Sequence, residues 1–311
     1  MLNRHEFLQS LAAAGTLAAI STVDEMELLA QTKKANGTPD LVAVMGGEPD
    51  QMYEAAIKAI GGLGRFVKKG QKVTIKPNIG WAKKPELAAN TNPLLISTLV
   101  KACFAEGAAE VTVFDNTCQG WQDCYRLSGI KEAAEAAGAK VVPGNDERYF
   151  RDYDLPKGKV LQHAKIHQAI LDCDVWINVP VMKNHGGANM TVAMKNHMGI
   201  VWDRRAFHSK GLPQCIADIC TIDKPAALHI VDAYRIMTQN GPQGRSEADV
   251  ATPKALFMST DIVAVDTAAI RFFDQIRKMP LEDVPYLAMG QEHGLGSMDL
   301  KSLNIKRIKM N

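Results

Sequence analysis

The segment VWINVPVMKNHGGANMTVAMKNHMGIV, residues 175–201, decides how this chain is read. It opens on Val175–Val179, an apolar, largely β-branched run too short for a helix. A strand that is apolar on both faces belongs in a sheet covered on both sides. Pro180 ends the run, and the chain then turns polar and repeats itself, Lys183-Asn184-His185 returning as Lys195-Asn196-His197. The pattern predicts a strand to Pro180, a loop carrying Lys183, His185 and Gly186-Gly187, and a helix capped by Asn189 that runs to about His197. Glycines ahead of a helix N-terminus let backbone N–H groups face an anion, and Lys183 would add charge there. A plain loop accounts for a glycine pair equally well.

The same alternation continues on both sides of this segment. Short apolar runs stand at 41–45, 72–76, 110–114, 140–142, 227–231, 255–258 and 303–308, separated by amphipathic stretches at 52–60, 94–106, 129–137 and 263–273. Gly107 and Gly138 sit where two of those helices should stop. Strands alternating with helical patterns predict an α/β protein: a mostly parallel, Rossmann-like open sheet with helices on both faces. Residues 41–311 read as a single domain. The charged, aromatic stretch 145–159 reads as an excursion from it.

With 46% hydrophobic residues in 311, the chain can bury a sizeable core, which argues against disorder. Its 36 basic and 34 acidic residues are mixed along the chain, without the basic stripe that nucleic-acid binding requires. No run approaches the roughly 20 apolar residues that would span a bilayer. Residues 1–30 read as a signal-like segment and 31–40 as a polar linker. Asn3-Arg4-His5-Glu6-Phe7-Leu8 followed by a small apolar run resembles a twin-arginine export signal, with His5 in the second arginine's place. The export machinery would then be a partner and the periplasm the destination. A short amphipathic helix is the alternative.

Ligands of open parallel sheets bind beyond the carboxyl ends of the strands. The residues there are polar in this chain. One strand runs into Lys76-Pro77-Asn78, another into Asp115-Asn116, a third toward Lys183 and a fourth into Asp232. Any one of these fits a turn or helix cap; four together point to a site. Lys76, Asn78, Lys183, Lys195 and Asn196 are its candidate contacts with an anionic small molecule. His185 and Asp232 join the two repeat lysines as candidate proton-handling groups. Asn240, in the turn-rich loop before Gly241-Pro242, could close over a ligand. Asp261 reads as a helix cap, and Asp266, set in an apolar stretch, needs a partner if buried.

A cofactor is harder to read. The six cysteines form no C-x-x-C, so no zinc-ribbon or ferredoxin-type motif is present. Cys118, Cys124, Cys215 and Cys220 are the weak candidates for a metal or iron–sulfur cluster, with buried thiols or a disulfide as the alternative. His185 and His197 could ligate a metal with Asp115 or Asp232, although neither H-x-H nor H-x-x-x-H spacing supports it.

Several separated motifs in order resemble the family known as domain of unknown function 362, often labelled iron–sulfur-associated. They are Ile75-Lys76-Pro77-Asn78, Ile177-Asn178-Val179-Pro180 with Lys183 and His185, Ala193-Met194-Lys195-Asn196 with Gly199, Asp232 with Asn240-Gly241-Pro242, and Asp261 through Asp266. The resemblance implies an α/β fold and a shared pocket, and it adds weight to Lys76, Asn78, Lys183, Lys195, Asn196, Asp232 and Asp266. Longer members of that family add a ferredoxin-like module with clustered cysteines. No such cluster stands in this sequence, so the iron–sulfur label does not carry over. Three functions follow: an exported small-molecule or cofactor-dependent enzyme with a lysine-rich pocket, a binding or maturation protein for an anionic metabolite, metal or cofactor, and an iron–sulfur electron-transfer protein.

Overall fold

Alternate residues along each strand feed two separate cores, one on each side of a sheet, as the period-two pattern demands. The computed structural model describes residues 37–310, so the signal-like segment and most of the linker lie outside the described residues. Its strands are β1 Leu41–Met45, β2 Lys72–Pro77, β3 Glu110–Val113, β4 Lys140–Val141, β5 Phe150–Asp154, β6 His163–His167 and β7 Val175–Val179. They continue with β8 Val181–His185, β9 Asn189–Thr191, β10 Leu228–Met237, β11 Val250–Ala251, β12 Ala255–Ser259 and β13 Ile305–Lys309. The helices are α1 Pro49–Ala59, α2 Pro93–Ala105, α3 Trp121–Leu127, α4 Ile130–Ala136 and α5 Gln168–Leu171. After them come α6 Ala193–Asn196, α7 Arg205–Lys210, α8 Leu212–Ile219, α9 Ile262–Ile276 and α10 Tyr286–Glu292.

The main sheet runs in the order β13-β1-β12-β10-β7-β2-β3-β4. Every neighbouring pair is parallel except those made by β12, which lies antiparallel to both β1 and β10. One face carries Val42, Val73, Ile75, Ile177 and Ile230, covered by α1, α2 and α4. The other carries Trp176, Val231 and Phe257, covered by α8, α9 and α10. The fold is therefore the doubly covered, mostly parallel α/β sheet that the apolar strands imply. Ile177 is fully buried in it, and truncation to alanine at such a site costs about 2–5 kcal/mol.

One local expectation is overturned. Residues 181–185 and 189–191 are strands, paired as an antiparallel hairpin, where a loop and a helix start were expected. Gly186 and Gly187 make the hairpin turn and face no helix N-terminus. Proline has no N–H to give the ladder, so β7 stops at Pro180, yet the chain goes on beside β10 as β8, with the Pro180 carbonyl accepting from Asp232 N at 2.9 Å. Polar side chains at 183–185 disguise this continuation. The charged stretch 145–159 contributes β5, which pairs with β6 as a two-stranded ribbon separate from the main sheet.

Candidate functional site

Because Ile75 faces one core, Lys76 must face the other, and it does so in register with Asn178 of β7, which in turn pairs with His229 of β10. A polar row thus crosses the sheet at its carboxyl edge, buried throughout. Buried polar groups are costly unless partnered, and α6 supplies the partner. Asn196 Nδ2 donates to Asn178 Oδ1 at 2.8 Å, while Asn196 Oδ1 accepts from Lys76 Nζ at 2.8 Å and Asn78 Nδ2 at 3.1 Å. Asn178 Nδ2 donates onward to His229 Nδ1 at 3.1 Å, and Asn78 Oδ1 accepts from Lys183 Nζ at 3.1 Å. Three amides therefore form one directional chain from Lys183 to His229.

Lys76 Nζ also lies 2.9 Å from Asp115 Oδ1, both side chains being buried. The approach has the distance of an ion pair without the alignment of a hydrogen bond, so Oδ1 keeps acceptor capacity. Asp115 Oδ2 accepts from Ile79 N at 2.6 Å. Burial lowers the Lys76 pKa, and Asp115 works against that. Gly199 sits over this pair so closely that a methyl group there would overlap Asp115 Oδ1 and Lys76 Nζ. Glycine is required here for space.

These residues floor a cleft of about 700 Å³. The hairpin forms one wall. Lys183 and His185 are two apart on β8, and Thr191 stands opposite Lys183 on β9, so all three share one ribbon face and line the cleft. Lys183 is buried, and its ammonium donates to Asn78 Oδ1 and to the Ala89 carbonyl. Among the described residues neither Lys183 nor Lys195 has a carboxylate partner, and Lys195 Nζ donates to Met198 Sδ at 3.7 Å. Burial brings Lys183 down to about 7 and Lys195 to about 8. Arg204 adds a third cation held by neutral groups, donating to the Asn116 carbonyl at 2.7 Å and to the Thr117 carbonyl at 2.5 Å. The carboxylates on the cleft wall, Asp115 and Asp203, are already matched by Lys76 and Arg205. The cleft therefore holds an excess of positive charge.

His185 has a fixed role in this geometry. Its Nδ1 accepts from Gly187 N at 3.0 Å and Ala188 N at 3.1 Å, so the ring proton of the neutral form sits on Nε2. Burial and then the charges of Lys195 and Lys183 push its pKa down to about 2. In its neutral form His185 therefore offers Nε2–H as a hydrogen-bond donor. Ligation of a metal through Nε2 would require the proton to move to Nδ1, where both amides already point.

Lys76, Asn78, Asp115, Lys183, His185, Lys195 and Asn196 line one cleft, and three other expected site residues do not. Asp232 is buried and accepts from Asn92 N at 2.7 Å and Tyr234 N at 3.0 Å, which anchors the start of α2; burial raises its pKa to about 6. Asp266 accepts from Ala193 N at 2.7 Å and Met194 N at 2.9 Å and so positions α6, with burial raising its pKa to about 8. Asn240 donates to Asp249 Oδ1 at 2.7 Å, while its neighbour Pro242 reaches the cleft. Asp261 is a helix cap, accepting from Ala264 N at 2.7 Å. His197 is packed edge-on against Trp176 and donates to or accepts from nothing in the cleft.

The four cysteines do not meet. Cys124 belongs to the core on one face of the sheet, Cys215 and Cys220 to the core on the other, and only Cys118 lines the cleft. Among the described residues no group of three or more His, Cys, Asp or Glu side chains could hold a metal ion. A cysteine-bound cluster does not fit this arrangement, and no chemistry is derived from one. Thr191, Arg204, Trp81 and Trp202 carry no site signal in the sequence, and Asn178 stands in a family motif without an assigned role. A polar Asn178 inside an apolar strand was the one available signal; the others lie on β9 or in connections.

A family profile described as domain of unknown function (DUF362) matches residues 73–271, and the chain belongs to that family. It is 25% identical over 244 residues to the thylakoid-associated protein sll1697 of Synechocystis sp., a match covering 71% of this chain and 74% of that protein. Among solved structures, the lactate racemase apoprotein from Thermoanaerobacterium thermosaccharolyticum matches with a TM-score of 0.49 and 12% identity. That match covers 77% of this chain, which spans 58% of the other chain.

Proposed function

We propose that this member of the DUF362 family is an enzyme that binds an anionic small molecule in the cleft between the β8–β9 hairpin and the carboxyl ends of β2 and β3, and that Lys183 exchanges a proton with it. One observation carries the reading: two lysines and an arginine converge on the cleft, and among the described residues no carboxylate is left to neutralise them. Cations desolvated in this way are stabilised by an anion from outside. A lysine at about 7 both gives and takes a proton near neutrality. His185 Nε2–H and the backbone-held Arg204 supply fixed donors, which cost little reorganisation when charge arrives.

Export is a second element of the proposal, resting on the Arg4-led segment alone. Among the described residues no helix is long and apolar enough to cross a membrane. Fractionation of cells that express the full chain tests this, and retention of an uncleaved chain in the cytoplasm would dismiss it.

The ligand reading is tested by calorimetric titration of the full chain with sulfate at low salt and pH 6.5. Hydrogen bonds to charged groups contribute about 1.5–3 kcal/mol, so Lys183→Met and Lys195→Met should each weaken sulfate at least about tenfold. Equal affinity in the wild-type chain and both variants would remove the anion site.

A further inference from the structure

A sulfate-sized anion occupies only a fraction of a cleft of about 700 Å³, a volume typical of sites that enclose drug-sized ligands. The wall also carries two indoles. Trp81 and Trp202 both line the cleft, and each indole is backed by the protein body. Trp202 packs against Phe150 with ring centroids 5.3 Å apart. Trp81 packs against the small core of Ala88, Ala89 and Met237. Both indoles are half-buried, so each keeps surface that faces the cleft. Rigidly backed aromatic faces are platforms for flat, apolar groups, because stacking needs little ordering of the protein.

A second observation lies at the cationic end of the same cleft. Thr191 is 2% exposed, it lines the cleft, and its Oγ1 has no hydrogen-bond partner among the described residues. A buried hydroxyl without a partner is uncommon and costly. It stands on the same ribbon face as Lys183 and His185, so an oxygen-bearing anion held by the lysine would also satisfy the hydroxyl.

Resting on the anion-binding reading above, we infer that the ligand is bipartite: an anionic oxygen group held by Lys183, Lys195, His185 and Thr191, joined to a planar aromatic ring that stacks on Trp81 or Trp202. Aliphatic phosphates and carboxylates use only the first half of such a site. Aromatic ones use both.

Methyl phosphate, cyclohexyl phosphate and phenyl phosphate carry the same anion on three different bodies, so their calorimetric affinities for the full chain separate the two halves. Phenyl phosphate should bind about tenfold more tightly than methyl phosphate, at the upper end of what one aromatic contact contributes, and more tightly than cyclohexyl phosphate. Trp81→Leu and Trp202→Leu keep apolar bulk while removing the indole. At least one of them should reduce the phenyl preference several-fold more than it reduces methyl phosphate affinity. Equal binding of phenyl and methyl phosphate would overturn the inference and leave the anion site standing, as would a phenyl preference that survives in both variants. Cyclohexyl phosphate binding as tightly as phenyl phosphate would replace the stacking platform with plain apolar burial and overturn it too. Failure of all three phosphates to bind would reject the anion site itself.

Discussion

Lys76 Nζ and Asp115 Oδ1 stand 2.9 Å apart, both side chains buried, at the carboxyl edge of two adjacent parallel strands. This pair neutralises one cation of the cleft and leaves Lys183 and Lys195 without a counter-charge. A buried pair is expensive to break and cheap to replace. Asp115→Ala should therefore destabilise the protein by about 3–5 kcal/mol in urea unfolding, whereas Lys76→Met with Asp115→Leu should recover most of that loss. If the single variant unfolds like the wild type, the pair does not hold the site together.

Gly199 gives an independent view of the same contact. Its substitution by alanine puts a methyl group on Asp115 Oδ1 and Lys76 Nζ, and the Gly199 carbonyl accepts from Asn116 N at 3.1 Å, which limits retreat. Overpacking of this kind costs about 1–3 kcal/mol. Gly199→Ala should lower the urea midpoint accordingly and weaken sulfate binding. A variant of unchanged stability and affinity would show that the backbone yields more readily than these contacts allow.

Asp266 controls the other end of α6. Burial raises its pKa to about 8 from an ordinary 3.8, so between those values the folded chain holds a proton that the unfolded chain has released. Its contribution to stability is then complete below about pH 4 and is lost as pH rises through about 8, with a slope of at most about 1.4 kcal/mol per pH unit. Asp232, raised to about 6, has completed most of its own loss by pH 6.5 and cancels in a comparison of two chains that both carry it. The cleft lysines act in the opposite sense above pH 7, because their folded values lie below their unfolded ones, and they cancel in a comparison of two variants. Asp266→Asn should therefore gain stability relative to wild type steadily as pH rises from 6.5 to 8, measured by urea midpoints. Parallel pH profiles would mean that Asp266 is ionised in the folded state.

The sheet was legible in the sequence because its strands are apolar on both faces, and a run such as Val175–Val179 has few other places to go. The hairpin was hidden for the opposite reason. Lys183-Asn184-His185 reads as a loop, yet a strand that borders a polar cleft must carry polar residues at the positions that face it. The strand-end rule points to Lys76, Asp115 and Lys183, which line one cleft. It could not tell Lys183 from Asp232, since whether a strand-end group meets ligand or a backbone N–H depends on which chain packs over it. Asn92 and the start of α2 cover Asp232. Trp81, Trp202 and Arg204 lie in connecting segments without periodicity, so their convergence was not visible before folding.

The central claim is that Lys183 and Lys195 are desolvated cations awaiting an anion, and nothing tests it more directly than their own titration. In the full chain with ¹³C-labelled lysine, assigned with Lys183→Met and Lys195→Met, the Cε resonances should titrate near pH 7 and 8. Sulfate should move both midpoints upward, because it favours the charged forms. Midpoints near the ordinary lysine value that sulfate leaves unmoved would contradict the account.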